Sequence, residues 1–402
     1  MENNMSLPAG TAASSPPSPS TRGVRRAGPL VAVLLLAGSA MPVLGSVLLS
    51  PVLPSMQGYF ADTPGATLLV PMVLTIPALV IALCAPIAGQ IADRVGRKTL
   101  LLVSMVLYTI AGTAPLWLAS LGSIVASRVV VGLAEAAIMT ICTTLITDYY
   151  EGKARDKYLG LQVLVASLSA TLFFALGGIL GSSGWRAPFW LYLSAIVIAV
   201  PMAVYLWEPA RDAARARAVP VPWRRIAAPA LVTLIGGVVF YALIVHLPYV
   251  LDEFGVRSVG TIGAAAALAS AATAAGAISF RFLSGFGPRR LLPVAFGLAA
   301  VGLLILWFAP TVPVVLVGAV ITSGGTGILL PTLLTWAVSG LAIEERGRGT
   351  GVWTGALYIG QFASPLILAG AAGAVGGLTA ALGALGIVAA VAAVASIAIP
   401  RR

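Results

Sequence analysis

The sequence predicts an all-α membrane protein with twelve transmembrane helices in two pseudo-symmetric six-helix bundles, and three observations lead there. Of the 402 residues, 59% are hydrophobic and only 9% charged, where an ordinary soluble protein carries about 45–50% apolar residues. Apolar runs of about 20 residues, enough to cross a ~30 Å hydrocarbon core at 1.5 Å per residue, recur along nearly the whole chain. The runs are continuous and lack the period-two alternation of a barrel strand, so they read as helices.

In order, the predicted spans are 29–54, 66–91, 99–119, 121–147, 158–182 and 187–207, then 226–251, 259–283, 290–309, 312–341, 350–371 and 375–399. The first is long for the apolar core of a signal peptide and reads as an uncleaved helix. Glycines and prolines (44 and 27) are frequent inside the runs, as bundled helices tolerate in lipid. Between spans, the basic residues alternate. Arg22, Arg25 and Arg26 precede span 1, Arg94, Arg97 and Lys98 follow span 2, and Lys153, Arg155 and Lys157 follow span 4. Arg211, Arg215, Arg217, Arg224 and Arg225 follow span 6, Arg281, Arg289 and Arg290 surround the end of span 8, Arg346 and Arg348 follow span 10, and Arg401 and Arg402 end the chain. That places 21 of the 24 Lys and Arg on one side, against Arg186 and Arg257 on the other and Arg128 within a span. The positive-inside rule then puts both termini in the cytoplasm, and the expected location is the inner (plasma) membrane. The net charge of +11 is therefore topological, with the lipid bilayer as partner and no nucleic acid.

Residues 1–28, rich in Pro, Ser and Ala, read as a disordered cytoplasmic tail. Cys84 and Cys142, both inside apolar runs, read as packing residues.

The two halves echo each other. Gly96, Lys98, Leu100 and Leu101 match Gly287, Arg289, Leu291 and Leu292 at an offset of 191, and Arg155 and Gly160 match Arg346 and Gly351 at the same offset. A weaker echo at 194 aligns residues 53–60 with 247–254. The expected organisation is a six-helix bundle over 29–207, an Arg-rich cytoplasmic linker over 208–225 and a second bundle over 226–402. Duplicated units of this kind hold a site near the midplane between them.

The loop GQIADRVGRK (89–98) closely resembles the signature between the second and third helices of the major facilitator superfamily. SRVVVGLAEAA (127–137) resembles the fourth-helix motif of that superfamily, with its buried Arg, and GWRAPFWL (184–191) its fifth-to-sixth turn. In the loop, Gly89 allows close backbone approach, Gly96 permits the turn, and Asp93 is an anion suited to a helix N-terminus. Arg94, Arg97 and Lys98 are expected to stay in water or among headgroups. The resemblance implies that Asp93 docks on the start of helix 11 near Thr350 and Gly351 while the cytoplasmic gate is shut. The plainer alternative is that these charges set topology only. The second copy, RFLSGFGPRR (281–290), carries Ser284 in place of the Asp, so any latch is asymmetric.

Ionisable residues inside spans are functional hypotheses, because a charge at the bilayer centre costs about 2.5–3.5 kcal/mol even on insertion scales. Arg128 and Glu135 share one face of helix 4 with Gly132 between them, at depths of about 10 and 21 Å. That stripe is expected to face the central cavity, with Glu135 as proton carrier, unless Arg128 and Glu135 form a static pair. His246 in helix 7 reads as a satisfied interfacial histidine before a proton relay, and Tyr241 and Gln361 are candidates to line the cavity. GGTGILLP (324–331) mimics a dinucleotide fingerprint but has no strand before it, so its small residues read as helix packing. Antiporters of the superfamily often carry Gly-Pro, two residues and Gly-Gly in helix 5. Here Phe173 and Phe174 replace the Gly-Pro while Gly177 and Gly178 remain.

The expected function is secondary active transport by alternating access, with proton-coupled export of small organic or amphiphilic compounds. Uptake or facilitated diffusion of a small metabolite is the alternative, favoured by the altered helix 5. A monomer with a small-molecule substrate, no cofactor and no metal is expected, driven by the proton gradient. One histidine and thirteen scattered acids offer no enzyme constellation, and no soluble signalling domain is legible for a sensor.

Overall fold

The fold was obtained as a computed structural model. It describes residues 27–209, 221 and 223–398, without the side chains of residues 86, 88–90, 93, 343 and 344. Among these residues, twelve helices are long and apolar enough to cross a membrane, and the chain is an all-α, multi-pass membrane protein.

The first span, α1 (Pro29–Tyr59), comes in pieces: Pro29–Ser39, Met41–Val47, a 3-10 turn Ser50–Val52, and Leu53–Tyr59. Pro42, Pro51 and Pro54 each remove an amide donor along it, which is why the ladder restarts. The half continues with α2 (Ala66–Val95), α3 (Arg97–Thr113), α4 (Leu121–Tyr149), α5 (Gly152–Gly181) and α6 (Ser194–Tyr205), the last entered through a 3-10 stretch Ala187–Leu193. The second half holds α7 (Trp223–Glu253), α8 (Val259–Leu283), α9 (Pro288–Trp307), α10 (Val312–Ser339), α11 (Ile343–Val375) and α12 (Leu378–Ile397).

Each half packs its own apolar core, one around Leu44, Met105, Ile138 and Tyr192 and the other around Val239, Phe296, Leu329 and Leu385. The halves meet along α2 with α11 and α5 with α8. At the α5–α8 seam, a Cβ on Gly178 would lie 2.7 Å from the Gly263 Cα, and one on Gly263 would lie 2.5 Å from the Gly178 Cα. Only glycine at both positions lets the backbones touch there. The fingerprint-like GGTGILLP segment also packs helix on helix, since a Cβ on Gly325 would meet the Ala295 carbonyl of α9 at 2.8 Å.

Most span ends fall within a few residues of expectation. The larger departures are α5 and α11, which begin at Gly152 and Ile343 where the runs suggest 158 and 350. Hydropathy locates the hydrocarbon crossing, whereas these helices extend one to two polar turns past it, through KARDK and EERGR. α3 ends earlier, at Thr113, and continues as a 3-10 turn Ala114–Leu116. Most of the tail and linker lies outside the described residues. Gly28, assigned to the tail, accepts a hydrogen bond from Tyr150 Oη at 2.8 Å, and residues 223–225 of the linker belong to α7.

Candidate functional site

Between the halves lies a cavity of about 690 Å³ lined by α1, α4, α5, α7, α8, α10 and α11. Its wall is mostly apolar and aromatic, with Phe174, Phe240, Phe280, Tyr241, Trp353 and Tyr358 among the lining side chains. At its rim, Thr143 and Arg281 are exposed on the face that also carries Lys153 and Arg289, so the cavity opens toward the basic face. Toward the opposite face, contacts between the halves close it. Tyr241 Oη donates to the Ser46 carbonyl at 2.7 Å, Ser50 Oγ donates to the Ile244 carbonyl at 2.5 Å, and the Gly178–Gly263 approach shuts the α5–α8 seam. The breaks in α1 matter here, because they place the backbone carbonyl of Ser46 within reach of α7.

Two of the five membrane-embedded candidates line this cavity: Tyr241 and Gln361. The Arg128–Gly132–Glu135 stripe does not, which corrects the expectation that it faces the centre. It points into the first bundle, where a Cβ on Gly132 would sit 2.8 Å from the Pro77 Cα and Val80 Cβ of α2. Arg128, 1% exposed, donates to the carbonyls of Ala111 (2.6 Å) and Gly112 (3.2 Å) and to Tyr192 Oη (3.2 Å), with its guanidinium 5.4 Å from the Phe189 ring centroid. The static pair is likewise absent. Among the described residues no ion pair joins Arg128 to Glu135, and both Glu135 carboxyl oxygens are buried without a hydrogen-bond partner. Seven residues along a helix is about 10 Å, too far for the pair to close when Arg128 has nearer acceptors. Glu135 instead lies against Gly45 of α1, where a methyl group would collide with its Oε1. Gly45 adjoins Ser46, which is in the cavity wall, and Met139, one turn along α4, is in it too. The carboxyl therefore sits one layer behind the cavity surface. His246 is 5% exposed, lies off the cavity and shares a 3.1 Å hydrogen bond between Nδ1 and the Ala242 carbonyl, as a satisfied histidine does.

In the loop before α3, Gly96 has φ +107°, the backbone that its role as a turn residue requires. The surroundings of Gly89 and the side chain of Asp93 lie outside the described residues, and so does the docking implied for Asp93. Thr350 and Gly351 are exposed on α11. Arg97 and Lys98 do not simply stand in water, as expected. Arg97 forms an ion pair with Asp148 at the end of α4. Lys98 Nζ donates to the carbonyls of Ala203 and Leu206 at 2.7 Å each, closing the C-terminus of α6. Glu208 in turn accepts from the backbone amides of Arg97 (2.6 Å) and Lys98 (3.0 Å), capping the N-terminus of α3. Asp148, Ala203 and Leu206 belong to the first half, and Glu208 is the first residue after it. Arg94 is exposed on α2.

Sequence reasoning missed Gln162, Asp148, Glu208 and Arg281. Gln162 Nε2 donates to Ser39 Oγ at 2.7 Å and to Thr143 Oγ1 at 3.1 Å, building a neutral polar cluster on the cavity wall. Gln162 is a lone amide inside span 5, and an amide in a helical bundle is more often a packing residue than a cavity group. Asp148 and Glu208 stand at span ends, where acids are ordinary.

Residues 34–285 and 230–402 match the family model of the Major Facilitator Superfamily. The chain is 30% identical over 165 residues to the bacillibactin exporter of Bacillus subtilis (strain 168), a stretch covering 39% of this chain and 40% of that protein. This chain thus spans about two fifths of the length of that relative. It is 24% identical over 342 residues to the multidrug efflux protein YfmO of the same organism, covering 81% of this chain and 82% of YfmO. Its fold superposes on the inward-open xylose transporter XylE from E. coli with a TM-score of 0.77 at 13% identity, covering 93% of this chain and 96% of that one. The chain belongs to the Major Facilitator Superfamily.

Proposed function

We propose that the protein exports small organic or amphiphilic compounds across the plasma membrane by alternating access, coupled to the proton gradient. The observation that carries this reading is the cavity: about 690 Å³ between two packed halves, with a mostly apolar, aromatic wall and neutral polar groups at Gln162, Ser39 and Gln361. Such a wall suits an apolar body better than a sugar, whose hydroxyls need many partners. The efflux function named for relatives agrees with it. With the basic face assigned to the cytoplasm, the cavity is inward-open and the Tyr241–Ser46 and Ser50–Ile244 bonds belong to the outer gate. Glu135 is the proton carrier in this reading, because a carboxyl without a partner can be dry when neutral and needs water when charged.

Phe174 in the cavity wall, where antiporters often carry Gly-Pro, favours the second reading, facilitated diffusion or uptake. Proteoliposomes separate the two. Export by exchange predicts that an inward proton gradient expels preloaded amphiphilic compounds from the lumen against their own gradient, whereas a facilitator equilibrates them and ignores the proton gradient.

A further inference from the structure

We propose that the cavity selects compounds carrying an acidic head group on an apolar body, and that Arg281 is the residue that reads the acid. This rests on the export reading above and names its substrate class. Among the described residues, Arg281 is the only charged side chain that lines the cavity, and no Asp or Glu lines it. The acids nearest in function, Glu135 and Asp148, are respectively behind the wall and paired with Arg97. A cation entering this space would leave water and meet no anion, and burying an uncompensated charge is costly. An anion would meet one at the mouth.

The geometry fits a compound with two ends. Arg281 sits in the last turn of α8, and the α8 residues that line the cavity run from Ala266 to Arg281, a length of about 22 Å by rise per residue. Phe280, the preceding residue of α8, also lines the cavity, and Phe174, Phe240 and Tyr241 line it further in. An acidic head held at the mouth thus places an apolar tail among rings. Among the described residues the guanidinium has no ion pair or hydrogen-bond acceptor, although its own carbonyl accepts from Ser284 Oγ. A planar, always-charged fork with open donors matches a carboxylate, sulfonate or phosphate bidentately. The plainer roles for Arg281, complementing the α8 C-terminus and adding to the basic face as Arg289 and Arg290 do, do not require it to line the cavity.

Purified full-length protein in a neutral detergent tests this with three probes that share a pyrene-butyl body and end in a carboxylate, a carboxamide or a trimethylammonium, followed by fluorescence anisotropy. The carboxylate should bind about tenfold more tightly than the carboxamide, and the cation no better than the carboxamide. In Arg281→Gln the ratio of carboxylate to carboxamide affinity should fall to about one, and Arg281→Lys, which keeps the charge, should retain a preference. Thermal unfolding of each variant shows whether it is folded. A cation that binds as well as the carboxylate, or a folded Arg281→Gln that keeps the tenfold ratio, overturns the proposal and leaves the export reading standing. Failure of all three probes to bind overturns both. Short-chain phosphatidylglycerol, added as competitor, distinguishes lipid from soluble acids: displacement at the carboxylate's own affinity assigns the acidic cargo to lipid, and weak displacement assigns it to soluble amphiphiles.

Discussion

Lys98 and Arg289, 191 positions apart, close corresponding helices in the two halves. Lys98 Nζ lies 2.7 Å from the carbonyl oxygens of Ala203 and Leu206 at the end of α6, and Arg289 Nε lies 3.2 Å from the carbonyl of Ile397 at the end of α12. Both follow a glycine with positive φ, Gly96 at +107° and Gly287 at +74°. The repeat is thus one of mechanism as well as sequence. A tight turn delivers a cation to unsatisfied carbonyls at the end of the last helix of each half, where a helix C-terminus carries partial negative charge.

Replacing Lys98 by Met should therefore destabilise the fold by about 1 kcal/mol, and Arg289→Met by less, because Lys98 reaches two carbonyls and Arg289 one. Thermal unfolding in detergent reads the difference. Equal Tm values for wild type and Lys98→Met would show that the cap carries no stability.

Arg97 and Asp148 tie the loop to α4, and this pair can be tested by exchange. Asp148→Asn should reduce transport several-fold, since a partly exposed pair is worth about 1 kcal/mol and the loop must hold its place through the cycle. The swapped protein, Arg97→Asp with Asp148→Arg, should recover most of the loss. If each single variant transports normally, the pair has no part in gating.

Topology is tested with single cysteines in a background of Cys84→Ala and Cys142→Ala. Lys153→Cys and Arg257→Cys are both exposed, whereas Gly96 is unsuitable because of its positive φ. With the basic face inside, a membrane-impermeant maleimide added to intact cells should label position 257 and spare 153. Labelling of both, or of 153 alone, refutes the assignment.

The spans, the bundle duplication and the basic face were legible because each follows from a one-dimensional quantity: run length, offset and charge placement. The cavity was only partly so. Tyr241 and Gln361 stood out as polar groups in apolar runs, and they do line it. The facing of the Arg128–Gly132–Glu135 stripe was not legible. Spacing puts these residues on one face of α4 but does not say which neighbour that face meets. The answer depends on α4 packing against α2 and α3 inside its own bundle, and Gly132 serves contact with Pro77 rather than space between charges. The partners of Arg97 and Lys98 were hidden for a similar reason, as Asp148 and Glu208 lie 51 and 110 residues further along the chain.

The last prediction concerns Glu135 and Gly45. Because Arg128 takes its acceptors from Ala111, Gly112 and Tyr192, Glu135→Gln leaves no orphaned guanidinium and should not lower Tm. A static buried pair would instead lose about 3–5 kcal/mol on losing one partner. If Glu135 carries the proton, the Gln variant should still exchange substrate across the membrane but lose all dependence on an imposed proton gradient, since an amide keeps the volume and cannot release a proton. Gly45→Ala probes the same site from the other side. A methyl there collides with Glu135 Oε1, so α1 must shift or the carboxyl must move toward the cavity. The single variant should therefore be destabilised, and Glu135→Ala should relieve much of that cost in the double variant, giving a coupling energy of about 1 kcal/mol or more. Additive effects of the two substitutions would mean that Gly45 and Glu135 act separately. A folded Glu135→Gln protein with unchanged gradient dependence would remove the carboxyl from coupling and favour the facilitator.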